Sequence, residues 1–171
     1  GLFYPKSPHF RPWQLITHMF MHGNFMHLLS NMFALWMFGS VLENTWGSQR
    51  FLLFYMVTGI GAACMHLGVL SYEYAQYQNV LYNQVTVGAS GAVFGLLFAF
   101  GYLFPNTLLY VYFLMPIKAK YFVALYALFE LYAGIQNSAG DNIAHYAHLG
   151  GMVMAFIILM YWKKHDRTHF Y

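Results

Sequence analysis

Charge is what this 171-residue sequence has least of: 8 Lys+Arg and 5 Asp+Glu, or 8% of the chain. An average soluble domain carries about a quarter. So few charges cannot coat a globule of this size, which argues against an ordinary soluble domain. Cysteine is nearly absent as well. Cys64 stands alone, which excludes a disulfide framework and any multi-cysteine metal site. The net charge of +3 is scattered rather than clustered, so no nucleic-acid partner is expected. Internal repeats, low-complexity tracts and a soluble-domain linker are also missing. What remains is 60% hydrophobic and 21% aromatic, a composition that excludes disorder and points to a membrane protein surrounded by lipid.

Residues 12–42, 51–72, 74–117 and 142–162 carry no formal charge. About 20 mainly apolar residues are needed for a helix to cross the hydrocarbon core. The expectation is one all-α, polytopic membrane domain over 1–171, with 1–19 as an outer-loop segment and 163–171 as a tail. Five spans are expected, at about 20–40, 51–70, 88–104, 119–136 and 144–162. The fourth contains Glu130. Arg50, the pair Lys118 and Lys120, and the tail residues Lys163, Lys164 and Arg167 fall on one side of such a bundle. The positive-inside rule then places the tail in the cytoplasm and residue 1 outside. The N-terminus does not read as a signal peptide, so a further helix ahead of residue 1 is expected. Tyr72, Tyr74, Tyr77 and Tyr82 mark 71–87 as an interfacial loop.

Spans one, three and five run from outside to inside, so their N-terminal ends lie at one depth. The first opens with His22, His27 and Asn31, the third with Gly88, Ala89, Ser90 and Gly91, and the fifth with His145 and His148. Polar residues inside a span are costly and mark functional or tightly bonded sites. Gly91 and Gly95, and likewise Gly151 and Ala155, have the four-residue spacing that lets helix backbones approach closely. If those faces pack together, the Ser90 hydroxyl meets the His148 ring, the nucleophile–base arrangement of a hydrolase. His27 and Asn31 share a helix face and, with the Ser90 N–H, form a set of oxyanion donors. No carboxylate sits at the N-terminal level of the third or fifth span except Asp141 at a loop edge. The expectation is therefore a Ser-His dyad, with Glu130 as a structural hydrogen-bonder. His145 either supports the site or faces the loop. His9, His165 and His169 are expected in water, and His66 has no assigned role.

These residues resemble the rhomboid family of intramembrane serine proteases. The family's H-x-x-x-x-H-x-x-x-N reads here as His22, His27 and Asn31, its G-x-S-G as Gly88, Ser90 and Gly91, and its last-helix histidine and glycine as His148 and Gly151. Glu43, Gly47 and Arg50 match the family's turn, and the likeness runs from about Trp13 to Ala155. The resemblance implies a six-helix core, Ser90 as nucleophile and His148 as base and acid. It implies an oxyanion hole from His27, Asn31 and the Ser90 backbone, with His22 in support. Substrates would be transmembrane segments of other proteins, cut near the outer face without metal or other cofactor. The compact core suggests a bacterial plasma membrane. Four features depart from the family: five visible spans rather than six, Trp13-Gln14 where Trp-Arg is common, Phe94 in place of a stacking tyrosine, and Ala155 in place of a glycine. Two rival readings remain. One is an inactive relative that binds transmembrane segments. The other is a metallopeptidase built on His18 and His22 with a third ligand such as His27 or His148, although the glutamate of H-E-x-x-H is lacking. A transporter is disfavoured by the want of paired intramembrane carboxylates.

Overall fold

The computed structural model describes residues 1–77, 85–111, 114–136 and 142–165. It is an all-α bundle. A short helix α1 (Gln14–Thr17) runs into a 3₁₀ turn (His18–Phe20). There follow α2 (Phe25–Ala34), a widened π turn (Leu35–Gly39) and α3 (Ser40–Trp46), which together form one continuous helical stretch. Next come α4 (Ser48–Tyr77), α5 (Ser90–Leu103), α6 (Ala119–Ile135) and α7 (Asn142–His165).

Three stretches are long and apolar enough to cross a bilayer, Phe25–Trp46, Ser48–Tyr72 and His145–His165. By comparison, α5 has 14 residues and α6 has 17. Helix α5 is apolar on every side and buries nine of its residues, among them Leu96, Ala99 and Phe100. A helix with no polar face belongs inside a bundle, and α5 packs against α4, α6 and α7 at once. Around it the core gathers Phe38, Leu42, Phe54, Met152 and Leu159. The outside carries Trp36, Leu52, Leu53, Leu125, Leu128 and Ile157, all exposed. So much exposed apolar surface suits lipid rather than water.

Several boundaries differ from the sequence expectation. The first long helix starts at Phe25 rather than near residue 20, because the Asn24 side chain accepts the His27 N–H at 2.8 Å and caps it there. His22 therefore precedes the helix instead of riding on it. Helix α4 continues through 71–77, where a loop is expected, since no Gly or Pro interrupts that stretch. Tyr82 lies outside the described residues, as do Asp141, Asp166, Arg167 and His169. Between α5 and α6 a small antiparallel hairpin forms, β1 (Leu108–Val111) against β2 (Met115–Lys118), with Leu108 opposite Lys118.

The turn between α3 and α4 joins several elements. Gly47 takes φ +80°, and its N–H returns to the Glu43 carbonyl at 2.8 Å. With ψ at 156°, that is a positive-φ, extended conformation that only glycine takes readily, and it ends the helix there. Ser48 Oγ donates to Glu43 Oε1 at 2.6 Å. Arg50 lies over the Trp162 ring at 5.9 Å, and Trp46 packs edge-on against the same ring.

Candidate active site

Ser90 is the first helical residue of α5, and Ala89 before it offers no side-chain cap. The first N–H within the helix to find a partner is that of Val93, on the Ala89 carbonyl at 3.0 Å. The Ser90 N–H is thus one of the donors a helix start leaves without an intrahelical acceptor. The approach to Ser90 is strapped down. Leu2 and Thr86 exchange backbone hydrogen bonds at 2.8 and 2.9 Å, and the Gly88 N–H donates to the His18 carbonyl at 2.9 Å. Gly88 holds φ +129°, and a β-carbon there would stand 2.9 Å from the His27 ring. Backbone and space both demand glycine at this position.

Helix α7 reaches α5 through Gly151, where an added methyl would overlap the Gly91 carbonyl. Gly91 also touches Ala62 of α4, while Gly95 faces Thr58 of α4 and not α7. The expected glycine stripe therefore lies in the groove between two helices, and only its upper member meets α7. Ala155 is fully buried.

This packing brings Ser90 and His148 to the wall of one cavity of about 350 Å³, together with His27, Asn31, Phe94 and Glu130. The rest of its wall is largely apolar, including Met37, Phe38, Leu97, Phe122 and Tyr126. Ser90 also borders a smaller enclosed cavity of about 40 Å³ beside His66 and Thr86, roomy enough for water. His66, without a role in the sequence reading, is buried there and shares a 2.6 Å hydrogen bond with Thr86. No direct hydrogen bond joins Ser90 Oγ to His148; such contacts often tighten only when substrate binds.

The His148 ring is held on two sides. Phe94 stacks on its face with centroids 4.1 Å apart and planes 9° from parallel. Its Nδ1 lies 3.0 Å from Glu130 Oε2, and His145 Nδ1 lies 2.6 Å from the same oxygen. This corrects the expectation that, Asp141 aside, no carboxylate lies at the level of the histidine, while the hydrogen bonding expected of Glu130 is present. Glu130 lies five residues before the end of α6 and His148 six after the start of α7. Because α6 runs antiparallel to its neighbours, a residue late in α6 shares a level with residues early in α5 and α7. Glu130 is 3% exposed. A lone glutamate inside an apolar helix was the available signal.

His27 receives the Gly23 N–H on Nδ1 at 3.3 Å, so its proton sits on Nε2, the nitrogen nearest Gly88. Asn31 is buried and spends one amide N–H on the His27 carbonyl at 2.8 Å, leaving the other free to donate. His22 stands edge-on to His27 with ring centroids 5.3 Å apart, and its buried Nε2 has no partner among the described residues.

Among the described residues the three-donor cluster suited to a metal ion is Glu130, His145 and His148, with ligand atoms within 4.8 Å of one another. Of the set considered from sequence it contains only His148, and neither His18, His22 nor His27. Both imidazoles already lie at hydrogen-bond distance from one carboxylate oxygen, so the three satisfy each other.

His18, whose carbonyl holds Gly88, is buried, and its Nδ1–H donates to the Gln14 carbonyl at 3.0 Å. Burial holds its pKa below the ordinary 6.5, outweighing the opposite pull of that carbonyl. The unfolded chain therefore takes up this proton at a higher pH than the fold does. The stabilising contribution is complete above 6.5 and is lost as pH falls from there toward the lower folded value. Thermal unfolding in detergent at about pH 7.5 and about pH 5 should show the loss, and His18→Phe should flatten it. An equal slope in both proteins would refute the assignment.

Residues 9–164 match the Rhomboid domain family. The chain is 32% identical over 150 residues to Rhomboid protein 1, mitochondrial, of Saccharomyces cerevisiae, covering 88% of this chain and 42% of that protein. It is 32% identical over 153 residues to RHOMBOID-like protein 6, mitochondrial, of Arabidopsis thaliana, covering 86% and 44%. To the putative rhomboid protease YdcA of Bacillus subtilis it is 34% identical over 159 residues, covering 91% and 70%. The chain thus spans less than half the length of the yeast and plant relatives.

Proposed function

The chain belongs to the rhomboid family and is an integral membrane protein, and we propose that it is an intramembrane serine endopeptidase with Ser90 as nucleophile and His148 as general base. The observation that carries this reading is the meeting of Ser90, His148, His27 and Asn31 around one apolar-walled cavity. A transmembrane segment of another protein enters that cavity and exposes a peptide bond to Ser90. His148 takes the Ser90 proton on Nε2 while Ser90 Oγ bonds to the carbonyl carbon, whose π electrons move to oxygen. The Ser90 N–H, His27 Nε2–H and the free Asn31 N–H donate to that oxyanion. His148 returns the proton to the leaving amine as the C–N bond breaks, and water repeats the sequence on the acyl-enzyme. In the proposed orientation the tail is cytoplasmic and the site opens to the outer side of a bacterial plasma membrane.

Cleavage of a single-span substrate in proteoliposomes tests this, with Ser90→Ala and a chelator as parallel arms. Cleavage that needs Ser90 and ignores the chelator is the expected result. Loss to the chelator alone would move the chemistry to a metal, and a folded but inert chain would support a binding-only relative. Asn31→Ala should lower kcat by about 10²–10³-fold, the usual loss for one oxyanion donor, with KM little changed. A shift confined to KM would make Asn31 a substrate contact instead.

A further inference from the structure

We propose that Glu130 is a positioning residue that extends the Ser90–His148 pair into a three-member relay, with His145 as a second donor that holds the carboxylate in place. This rests on the reading of Ser90 as nucleophile and His148 as base.

The argument starts from Oε2. That single oxygen lies 2.6 Å from His145 Nδ1 and 3.0 Å from His148 Nδ1. An ionised carboxylate only accepts, so both imidazoles must present Nδ1–H to it. For His148 this has a chemical result. With the proton held on Nδ1, the neutral ring carries its lone pair on Nε2, the nitrogen left for the Ser90 proton. When that proton arrives, the ring becomes an imidazolium beside a buried negative charge, which stabilises it without itself being protonated.

A purely structural glutamate would be satisfied by His145, its shorter partner. What the second hydrogen bond adds is a fixed tautomer and orientation for the base. The carboxylate is itself fixed: it is buried on α6, and His145, half-buried on α7, bonds it from the turn before His148. Among the described residues no lysine or arginine pairs with it, so its charge is directed at the two rings. Phe94 closes the opposite constraint by stacking on the His148 face. Face and edge are then both set before substrate enters.

The experiment compares wild type, Glu130→Gln, Glu130→Leu, His145→Phe and Ser90→Ala for kcat and KM on one substrate in proteoliposomes, alongside ¹⁵N NMR of the His148 ring in detergent. Glutamine keeps an acceptor and loses the charge; leucine loses both. Glu130→Gln should lower kcat by about 10–10²-fold and Glu130→Leu by about 10²–10⁴-fold, the range over which mis-set tautomers act in Ser-His-acid sites. KM should stay within about threefold, and His145→Phe should cost about tenfold or less. In wild type the ¹⁵N signals should show Nδ1 protonated and Nε2 bare, and Glu130→Leu should lose that preference. A kcat for Glu130→Leu within threefold of wild type, while Ser90→Ala is inert, would overturn the relay and leave the parent reading standing. So would an unchanged tautomer. Wild-type activity lost to a chelator and restored by Zn²⁺ would make the three side chains metal ligands and overturn it as well. Absence of Ser90-dependent cleavage by wild type would overturn the parent reading and the relay together.

Discussion

Ser90→Ala and His148→Ala are each expected to lower kcat by about 10⁴–10⁶-fold, and the double variant by no more than either alone. The reason is that in the proposed mechanism the two groups act as one device. Without the hydroxyl there is no acyl-enzyme, and the His148 base has nothing to deprotonate. Without the imidazole, Ser90 is an ordinary alcohol in an apolar-walled cavity, and His27, whose Nε2 already carries its proton, is no substitute base. The oxyanion donors on His27, Asn31 and the helix start remain in both variants, which leaves a residual rate above the uncatalysed one. Single-turnover cleavage in proteoliposomes over long incubation would measure it. Losses that multiply in the double variant would show that Ser90 and His148 serve separate steps, and the pairing would have to be abandoned.

Gly151→Ala is expected to be the most damaging single methyl that can be added to the bundle. Its β-carbon would occupy the place of the Gly91 carbonyl, and backbone cannot step aside as a flexible side chain can. To make room, α7 must withdraw from α5, carrying His148 away from Ser90. Overpacking of a close-packed interior costs about 1–3 kcal/mol and occasionally more, and here there is no rotamer to absorb it. The variant should unfold at lower temperature in detergent and lose cleavage even where it remains folded. Gly47→Ala supplies the contrast. Its backbone sits at φ +80° and ψ 156°, but nothing lies within 4 Å of the added carbon, so the cost is backbone strain alone, about 1–3 kcal/mol. Cleavage should survive it. If Gly151→Ala melts and cuts like Gly47→Ala, the α5–α7 approach is not what holds the site together.

The bundle and the meeting of its distant polar residues were legible because both follow from one-dimensional patterns. Charge-free stretches mark the helices, and depth counted from helix ends brings Ser90 and His148 to one level. The spacing of Gly91 and Gly151 announced a close approach, although only the structure shows that Gly95 turns to Thr58 instead. The contact of Glu130 with His148 was not foreseen because depth was counted along the helices that run with α5 and α7, whereas α6 runs the other way. Its closeness to His148 depends on rotation about the α6 axis, which composition and spacing do not determine. His22 was placed on a helix because the apolar run begins early. The Asn24 cap that delays the helix is a three-residue signal inside a longer apolar pattern. The hairpin between α5 and α6 was not foreseen because its strands, Leu108–Val111 and Met115–Lys118, fall in a stretch read only as the connection between two spans.

Under the proposed mechanism, the Phe94 stack on His148 bears on the order in which products leave. A ring pressed over one face and tethered at Nδ1 cannot turn over between steps, so it offers the cavity a single working nitrogen. The departing amine and the incoming water must occupy that one position in succession. Under the proposed mechanism the first fragment therefore clears the site before hydrolysis begins, and the chain is expected to spend an interval acylated, with its doorway vacant. During that interval a small added amine or alcohol can compete with water for the acyl group, and a cutter of chains becomes, in part, a joiner.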